Sequence, residues 1–448
     1  MPTTVTGRLH TVPAAVVLTE LRRGGPLGVI RRLGEASQGA VTRLGLGPFR
    51  PLFVSHPEHL RHILREHTGN YPRGAAMWSA LGRLTGNGIA GEGPGWLASR
   101  NILRASLSSG YLHDSGEEMI TAITAALQDL ARRAENGPVE ASTEMSRIVH
   151  RVINPLFFGS RIPQPQCDEL GAAITTAMNS LLWRMAMPFV PHAVPLPGDR
   201  AFIRATATAN RILLPVIHRA RQGRRDGRDL MTALLDGTDP SGAPLNDAHI
   251  SQDIVALFLA GSESSAVTLT WALVALARYP DVAARVREEA DRVLGEGPPR
   301  PEHIRQLVHT QRVLAEVTRL YSVGWAVPRT AVADDVVDGV FVPAGSTVVI
   351  SPYLTHRLAE FWPRPARFDP GRFTRQRSRD RHPLAHVPFG SGPHQCVGQA
   401  FFLHEAALVL ALILRRFELG LRSPAVPRLT LTLTPRGPVV LTLTPRKP

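Results

Sequence analysis

The sequence predicts a mainly helical protein with small β-sheets, organised as a single large domain. Three observations predict it. Helix-period patterns occupy most of the chain from Trp96 onward. One of them, Asn246 to Tyr279, is apolar on nearly every side across Ile254–Gly261, which suits a helix threaded through a core. No internal repeat or composition shift marks a linker. The 448 residues, enough for about three average domains, therefore read as one, with residues 1–40 as an N-terminal segment and 41–448 as the core.

Taken in order, Val41–Leu46 and Pro51–Ser55 alternate around Gly47 and Pro48 and predict a small hairpin. His56–Glu66 follows as a helix. Residues 73–95, rich in glycine and bounded by Pro72 and Pro94, read as a long irregular loop of the kind that carries function. Trp96 to Gly237 is helical in several segments, broken at Gly110, Gly137, Pro163–Pro165 and Pro188–Gly198. The last break is an apolar, proline-rich connector, read either as a stiff loop or as a surface lid over a hydrophobic entrance. Asn246 caps the long helix and Pro280 stops it; at 1.5 Å per residue it spans roughly 50 Å. Helices at about 281–294 and 308–321, short strands near 326–350, a proline- and arginine-rich stretch at 361–388 and a final helix at about 398–416 complete the core. The tail Leu429–Leu443 alternates Leu and Thr and predicts a hairpin turned at Pro435 and Gly437.

Composition narrows the function. Apolar residues at 44% and charged residues at 20% exclude global disorder. Basic residues outnumber acidic ones, 51 to 37, giving a net charge of +14, and Lys447 is the only lysine. The arginines are scattered and aromatics reach only 6%, which argues against nucleic acid and for a local basic face toward an acidic protein partner. Two cysteines, Cys167 and Cys396, exclude a disulfide framework and any Cys-rich zinc or iron–sulfur site, and they suit a reducing cytoplasm. No window reaches the roughly 18 uninterrupted apolar residues of a membrane helix, and no signal-peptide layout is evident. The expectation is a soluble, cytoplasmic protein.

The chemistry concentrates in Phe389-Gly-Ser-Gly-Pro-His-Gln-Cys396-Val-Gly398. The glycines let backbone amides turn toward the sulfur. The helix that follows sets its positive end there, and both effects favour thiolate over thiol. A lone thiolate is a poor zinc site but a good axial ligand for haem iron.

This segment resembles the haem-ligand loop of the cytochrome P-450 family, and the family's other marks follow over nearly the whole chain. The resemblance implies the cytochrome P-450 fold and a haem b (iron protoporphyrin IX) whose iron is bound by Cys396, with Phe389 and Gly398 as cofactor-binding positions of the loop. Glu316-Val-Thr-Arg319 resembles the family's Glu-x-x-Arg, and Phe368-Asp-Pro-Gly-Arg372-Phe373 its meander. Arg372 is expected to join Glu316 and Arg319 in a structural network. Trp96-Leu-Ala-Ser-Arg100 resembles the haem-facing Trp-x-x-x-Arg. Trp96, Arg100, Arg329 and His394 are thereby expected to hold the haem propionates. Ala260-Gly261-Ser-Glu263-Ser264-Ser resembles the mid-helix oxygen-groove motif. Ala260 and Gly261 are expected beside the haem, and Glu263 and Ser264 as the catalytic proton relay. Ser264 departs from the family's usual threonine and lacks the methyl that fixes its rotamer.

The expected function is a haem-thiolate monooxygenase that uses O2 to hydroxylate or otherwise oxidise a small hydrophobic molecule, a secondary metabolite such as a terpenoid. Oxidative C–C or C–N coupling of aromatic or cyclic-dipeptide substrates, and non-catalytic haem or ligand binding, are the rival readings. The substrate-facing stretches implied are Met77–Ile89, Leu182–Pro197, Ala256–Gly261 and Val323–Val327 with Trp325, all largely apolar. Electrons are expected from a separate ferredoxin and ferredoxin reductase, with Arg104 or Arg415 as contacts, and the protein is expected to be monomeric.

Overall fold

The computed structural model describes residues 9–45, 50–74, 76–107, 110, 115–159, 161–187, 190–191, 193–223 and 228–446. Its helices include α1 (Ala14–Ser37), α2 (Pro57–Arg61), α3 (Ala76–Thr85), α4 (Gly93–Ser106), α5 (Gly116–Glu135), α6 (Ala141–Phe158), α7 (Gln164–Ser180), α8 (Asp199–Gln222), α9 (Asp247–Arg278), α10 (Pro280–Leu294), α11 (Val308–Leu320) and α12 (Gln399–Arg416). The strands are β1 (His10–Pro13), β2 (Thr42–Gly45), β3 (Leu52–Val54), β4 (Val139–Glu140), β5 (Val327–Thr330), β6 (Asp335–Val337), β7 (Val340–Val342), β8 (Thr347–Ile350), β9 (Phe417–Leu421), β10 (Pro427–Leu429), β11 (Leu433–Pro435) and β12 (Val440–Pro445). The expected mainly helical architecture with small sheets is what the chain forms. Its contacts gather into two compact units.

The first unit comprises residues 1–75, 312–396 and 424–437. Its sheet has the order β1-β2-β3-β8-β5. β3 and β8 pair in parallel, Leu52 with Val348 and Val54 with Ile350. Side chains alternate across a pleated strand. Leu52 and Val54 therefore enter one buried cluster with Leu60, Ile63, Val348 and Ile350. Phe53 and Val349 enter another on the opposite face, with Leu33 and Leu433. Covered on both sides, this part of the sheet is a rigid base for the loops it carries.

The second unit comprises residues 76–311, 397–423 and 438–448. Its centre is α9, packed against α6, α7, α8 and α12. The Asn246 side chain accepts the His249 N–H at 2.8 Å, the expected cap. Pro280 opens α10 directly after Tyr279 ends α9. By length and composition α9 could cross a membrane, but 67% of its most apolar window is buried in the protein, as befits a core helix.

Three expectations change. The stretch 73–95 is not irregular throughout, because α3 occupies ten residues of it. Ala80 and Leu84 are buried one turn apart, and that apolar stripe outweighs the roughly 1 kcal/mol that Gly82 costs a helix. The tail is not one hairpin. β10 pairs with β11, whereas β12 pairs with β9 and β4. Leu–Thr alternation specifies strands but not their partners. The helix at His56–Glu66 is α-helical only to Arg61 and then widens into a π turn at His62–Glu66. β2 and β3 do pair antiparallel; the turn expected at Gly47–Pro48 lies outside the described residues.

Candidate active site

In the first unit, Cys396 lies exposed at the end of a loop held open by two glycines in left-handed conformations, Gly390 (φ 70°) and Gly392 (φ 74°). The Cys396 N–H donates to the Phe389 carbonyl at 2.8 Å, closing the loop on itself. Gly392 is required twice over: a Cβ there would also stand 1.8 Å from the Leu64 carbonyl oxygen. Arg65 Nε donates to Ser391 Oγ at 2.8 Å, so the loop rests on the π turn. Phe389 and His394 are half-buried in the same loop. Arg329 is buried on β5, one of its nitrogens donating to the Pro328 carbonyl at 3.0 Å.

The loop is anchored from below. Arg319 grips Glu316 with two hydrogen bonds, at 2.6 and 2.8 Å. Arg372 Nε donates to the same carboxylate at 3.3 Å and the Asp369 N–H at 2.8 Å. The remaining guanidinium hydrogens of Arg319 end on the carbonyls of His356, Pro365 and Arg367. All three charged side chains are buried, so each pairing is made without competition from water. The expected structural network is therefore present, and it extends to a residue the motifs did not indicate. His356 Nε2 accepts the Val387 N–H at 2.8 Å, two residues before Phe389, which leaves Nδ1 to donate to Ser322 Oγ at 2.8 Å. Burial first, and then the nearby His386 and Arg319, push the His356 pKa well below its usual value, so the ring is neutral and this tautomer is fixed. The carbonyl that Arg319 reaches and the nitrogen that positions the loop belong to one residue.

In the second unit, α9 is buried from Asp253 to Leu259 and then opens. Ala260 is exposed, and Gly261, Glu263, Ser264 and Val267 are half-exposed. Positions 260, 264 and 267 form one helical stripe, so a core helix presents a small-residue face at mid-length. The Ser264 hydroxyl donates to the Ala260 carbonyl one turn back. Gly261 is not needed for close approach, since an added Cβ would make only ordinary contact with Ile153 and Phe157 of α6. Trp96 and Arg100, four apart on α4, share a half-buried face. Gly398 caps α12 at φ −85°, so that position does not demand glycine for its backbone.

Three further residues of this unit escape sequence reasoning. Asp253, fully buried inside the apolar run, accepts the Ile89 N–H at 2.7 Å and the Ser99 hydroxyl at 2.5 Å, tying the segment before α4, and α4 itself, to α9. Its place in an apolar run was the signal available. Arg184 is buried and donates to the carbonyls of Val190, Pro191 and Val194 and to Asp199, which also accepts from Arg83 of α3. The connector is thus laced to one arginine. Its Pro188, Phe189 and His192 lie outside the described residues. Glu405 of α12 is fully buried, and burial raises its carboxyl pKa to about 8, with the Ser265 hydroxyl as polar neighbour.

The two expected partner-facing arginines differ. Arg104 is exposed on α4, but Arg415 is committed to the Gly295 carbonyl and to Asp291 at 3.6 Å.

Each unit by itself fits a haem. The first presents one exposed cysteine sulfur on a glycine-punctuated loop that also carries the half-buried His394, and the same unit holds the buried Arg329. The second presents a small-residue helix face with an acid and an alcohol, and an indole–guanidinium pair on α4.

Comparison with known proteins agrees. The family model described as Cytochrome P450 matches residues 10–444. Cyclooctat-9-en-7-ol 5-monooxygenase of Streptomyces melanosporofaciens is 30% identical over 391 residues, covering 86% of this chain and 83% of that protein. Pentalenene oxygenase of Streptomyces avermitilis is 27% identical over 391 residues, covering 87% and 86%. Cyclooctatin synthase of Streptomyces melanosporofaciens is 29% identical over 408 residues, covering 89% and 88%. The crystal structure of the cytochrome P450DA heme domain matches the fold with a TM-score of 0.87 over 99% of both chains, at 24% identity.

Proposed function

This chain belongs to the cytochrome P450 family, whose members are haem-thiolate monooxygenases with haem b on a cysteine, and on that premise we propose that Cys396 is the ligand and that the chain oxidises a small cyclic terpenoid of secondary metabolism. The observation that carries the reading is that three relatives spanning most of the chain bear the names of cyclooctatin and pentalenene oxidation. The largely apolar stretches at Met77–Ile89 and Val323–Val327 suit such a substrate; the charged residue within them, Arg83, is paired with Asp199.

The haem supplies O2 activation, and the protein's own groups do the rest. Trp96, Arg100, Arg329 and His394 would donate to the propionates. Asp253 holds the segment at Ile89 and Ser99 against α9, keeping the pocket wall in register. Glu263 and Ser264 would hold and pass on the protons that the haem chemistry consumes. The Ser264 hydroxyl leaves the Ala260 carbonyl to do so, and without a β-methyl it rotates more freely than a threonine. Electrons come from a separate ferredoxin, for which the exposed Arg104 is a contact, to a cytoplasmic, monomeric protein. The single-domain organisation over residues 1–448 is part of this proposal.

The test is turnover with a surrogate ferredoxin system on a panel of cyclic terpenes, cyclic dipeptides and polyketides. A terpene product heavier by one oxygen atom is expected. A product lighter only by hydrogens would favour oxidative coupling. The reduced protein with CO is expected to give the thiolate-type absorption, lost in Cys396→His. Ser264→Ala is expected to raise peroxide released per electron several-fold, and Ser264→Thr to lower it; unchanged coupling in both would remove Ser264 from the relay.

A further inference from the structure

In the first unit, on the π turn and β6, two histidines and an aspartate converge. His62 Nε2 lies 2.8 Å from Asp335 Oδ2, and His67 Nδ1 lies 3.8 Å from the same oxygen. One ligand atom from each residue falls within 4.8 Å of the other two. The sequence does not make this convergence obvious. In an α-helix, side chains five residues apart diverge by about 140° around the axis. Here the π turn closes an i to i+5 hydrogen bond, the His67 N–H donating to the His62 carbonyl at 2.8 Å. The wider turn brings the two imidazoles into register, their ring centroids 3.9 Å apart. π turns of this kind carry an energetic cost and mark functional positions.

The carboxylate is held for a ligand. The buried Tyr71 hydroxyl donates to Asp335 Oδ2 at 2.8 Å, and the Val336 N–H donates to Oδ1 at 2.7 Å. A ligating carboxylate oriented by a buried hydroxyl is the usual outer-shell arrangement around a bound metal.

We propose that His62, His67 and Asp335 bind a divalent transition-metal ion of the zinc, nickel or copper class. Two imidazoles and one carboxylate are borderline ligands that favour these ions over magnesium or calcium. Three protein ligands leave a fourth position for water. The half-exposed His67 ring turns out of its stack to complete the set, while Tyr71 stays on the carboxylate. The ion would sit on the turn whose Leu64 carbonyl meets Gly392 and whose Arg65 holds Ser391. It would therefore stiffen the base of the cysteine loop.

The experiment uses the full-length, haem-loaded protein, treated with EDTA, dialysed and titrated with zinc chloride by calorimetry. One equivalent at micromolar affinity is expected, with a rise in melting temperature. His67→Ala and Asp335→Asn are expected to weaken binding about 10- to 100-fold and abolish the thermal shift, and Tyr71→Phe to weaken it less. The CO spectrum of each variant reports that its fold and haem are intact. Absence of binding to the wild type, or equal binding by His67→Ala, would overturn the site.

Discussion

Two glutamates, one in each unit, are equally inaccessible to water and meet opposite fates. Glu316 lies at the centre of donors from Arg319, Arg372 and the Asp369 amide. Among the described residues Glu405 has the Ser265 hydroxyl as its polar neighbour and no cation, and burial raises its pKa to about 8. Both are fully buried. Company, and not depth, therefore separates the two sites: Glu316 is ringed by guanidinium and amide donors, whereas at Glu405 burial dominates and raises the pKa. The Glu316 region is an all-or-nothing brace under the cysteine loop. The Glu405 region is a neutral acid that titrates.

The largest expected effect breaks the brace. Glu316→Gln keeps the shape but strands two buried arginines, which costs about 3–5 kcal/mol. Denaturant unfolding should show that loss together with poor haem incorporation. A variant within about 1 kcal/mol of wild type would erase the distinction drawn here.

The second expectation sharpens the contrast. The folded pKa of Glu405 lies above the unfolded value of 4.5. The folded state therefore holds a proton that the unfolded chain releases between pH 4.5 and about 8, and stability falls as pH rises through that window. The loss is on the order of a few kcal/mol by pH 8. Glu405→Gln should be near neutral in stability at pH 5 and should flatten this part of the pH dependence, measured as denaturant midpoints from pH 5 to pH 8.5. An unchanged slope would mean that other groups govern it.

The smallest effect tests an intermediate case. Asp199 is partly exposed and shares two arginines, Arg184 and Arg83, whose bonds hold its pKa far below the usual carboxylate range despite some desolvation. Water can replace what Asp199→Asn loses, so the cost should be only about 1–2 kcal/mol. The change should appear instead in dynamics, as faster hydrogen exchange confined to the connector. Exchange spread evenly through α8 would refute the lacing role.

The same comparison explains what could be read in advance. Glu316 and Arg319 are three apart on a helix, and Cys396 sits in a run of glycines. Both are local patterns, and both were legible. His356 acts on Val387, 31 residues away, and Asp253 on Ser99, 154 residues away. No short spacing encodes such pairs. Glu405 looked like any polar residue in a final helix because its isolation follows from packing alone. Alternation revealed the tail strands but not that β12 would leave β11 for β9, since each Leu face could be buried against several neighbours. Glycine content hid α3, because propensity is weaker than one buried apolar stripe.

The parallel pairing of β3 with β8 has a consequence for how the protein is made. Leu52 waits on Val348 for its partner, so the central sheet cannot close until nearly 300 further residues have left the ribosome. At about 5–20 residues per second that is roughly 15–60 s. During that interval the early strands expose an unpaired apolar edge, and loop-closure entropy opposes their late partner. The cysteine loop at residues 389–398 emerges later still, after every strand of that sheet. Expression at low temperature with chaperones in excess is accordingly the condition under which this chain should accumulate in loaded form.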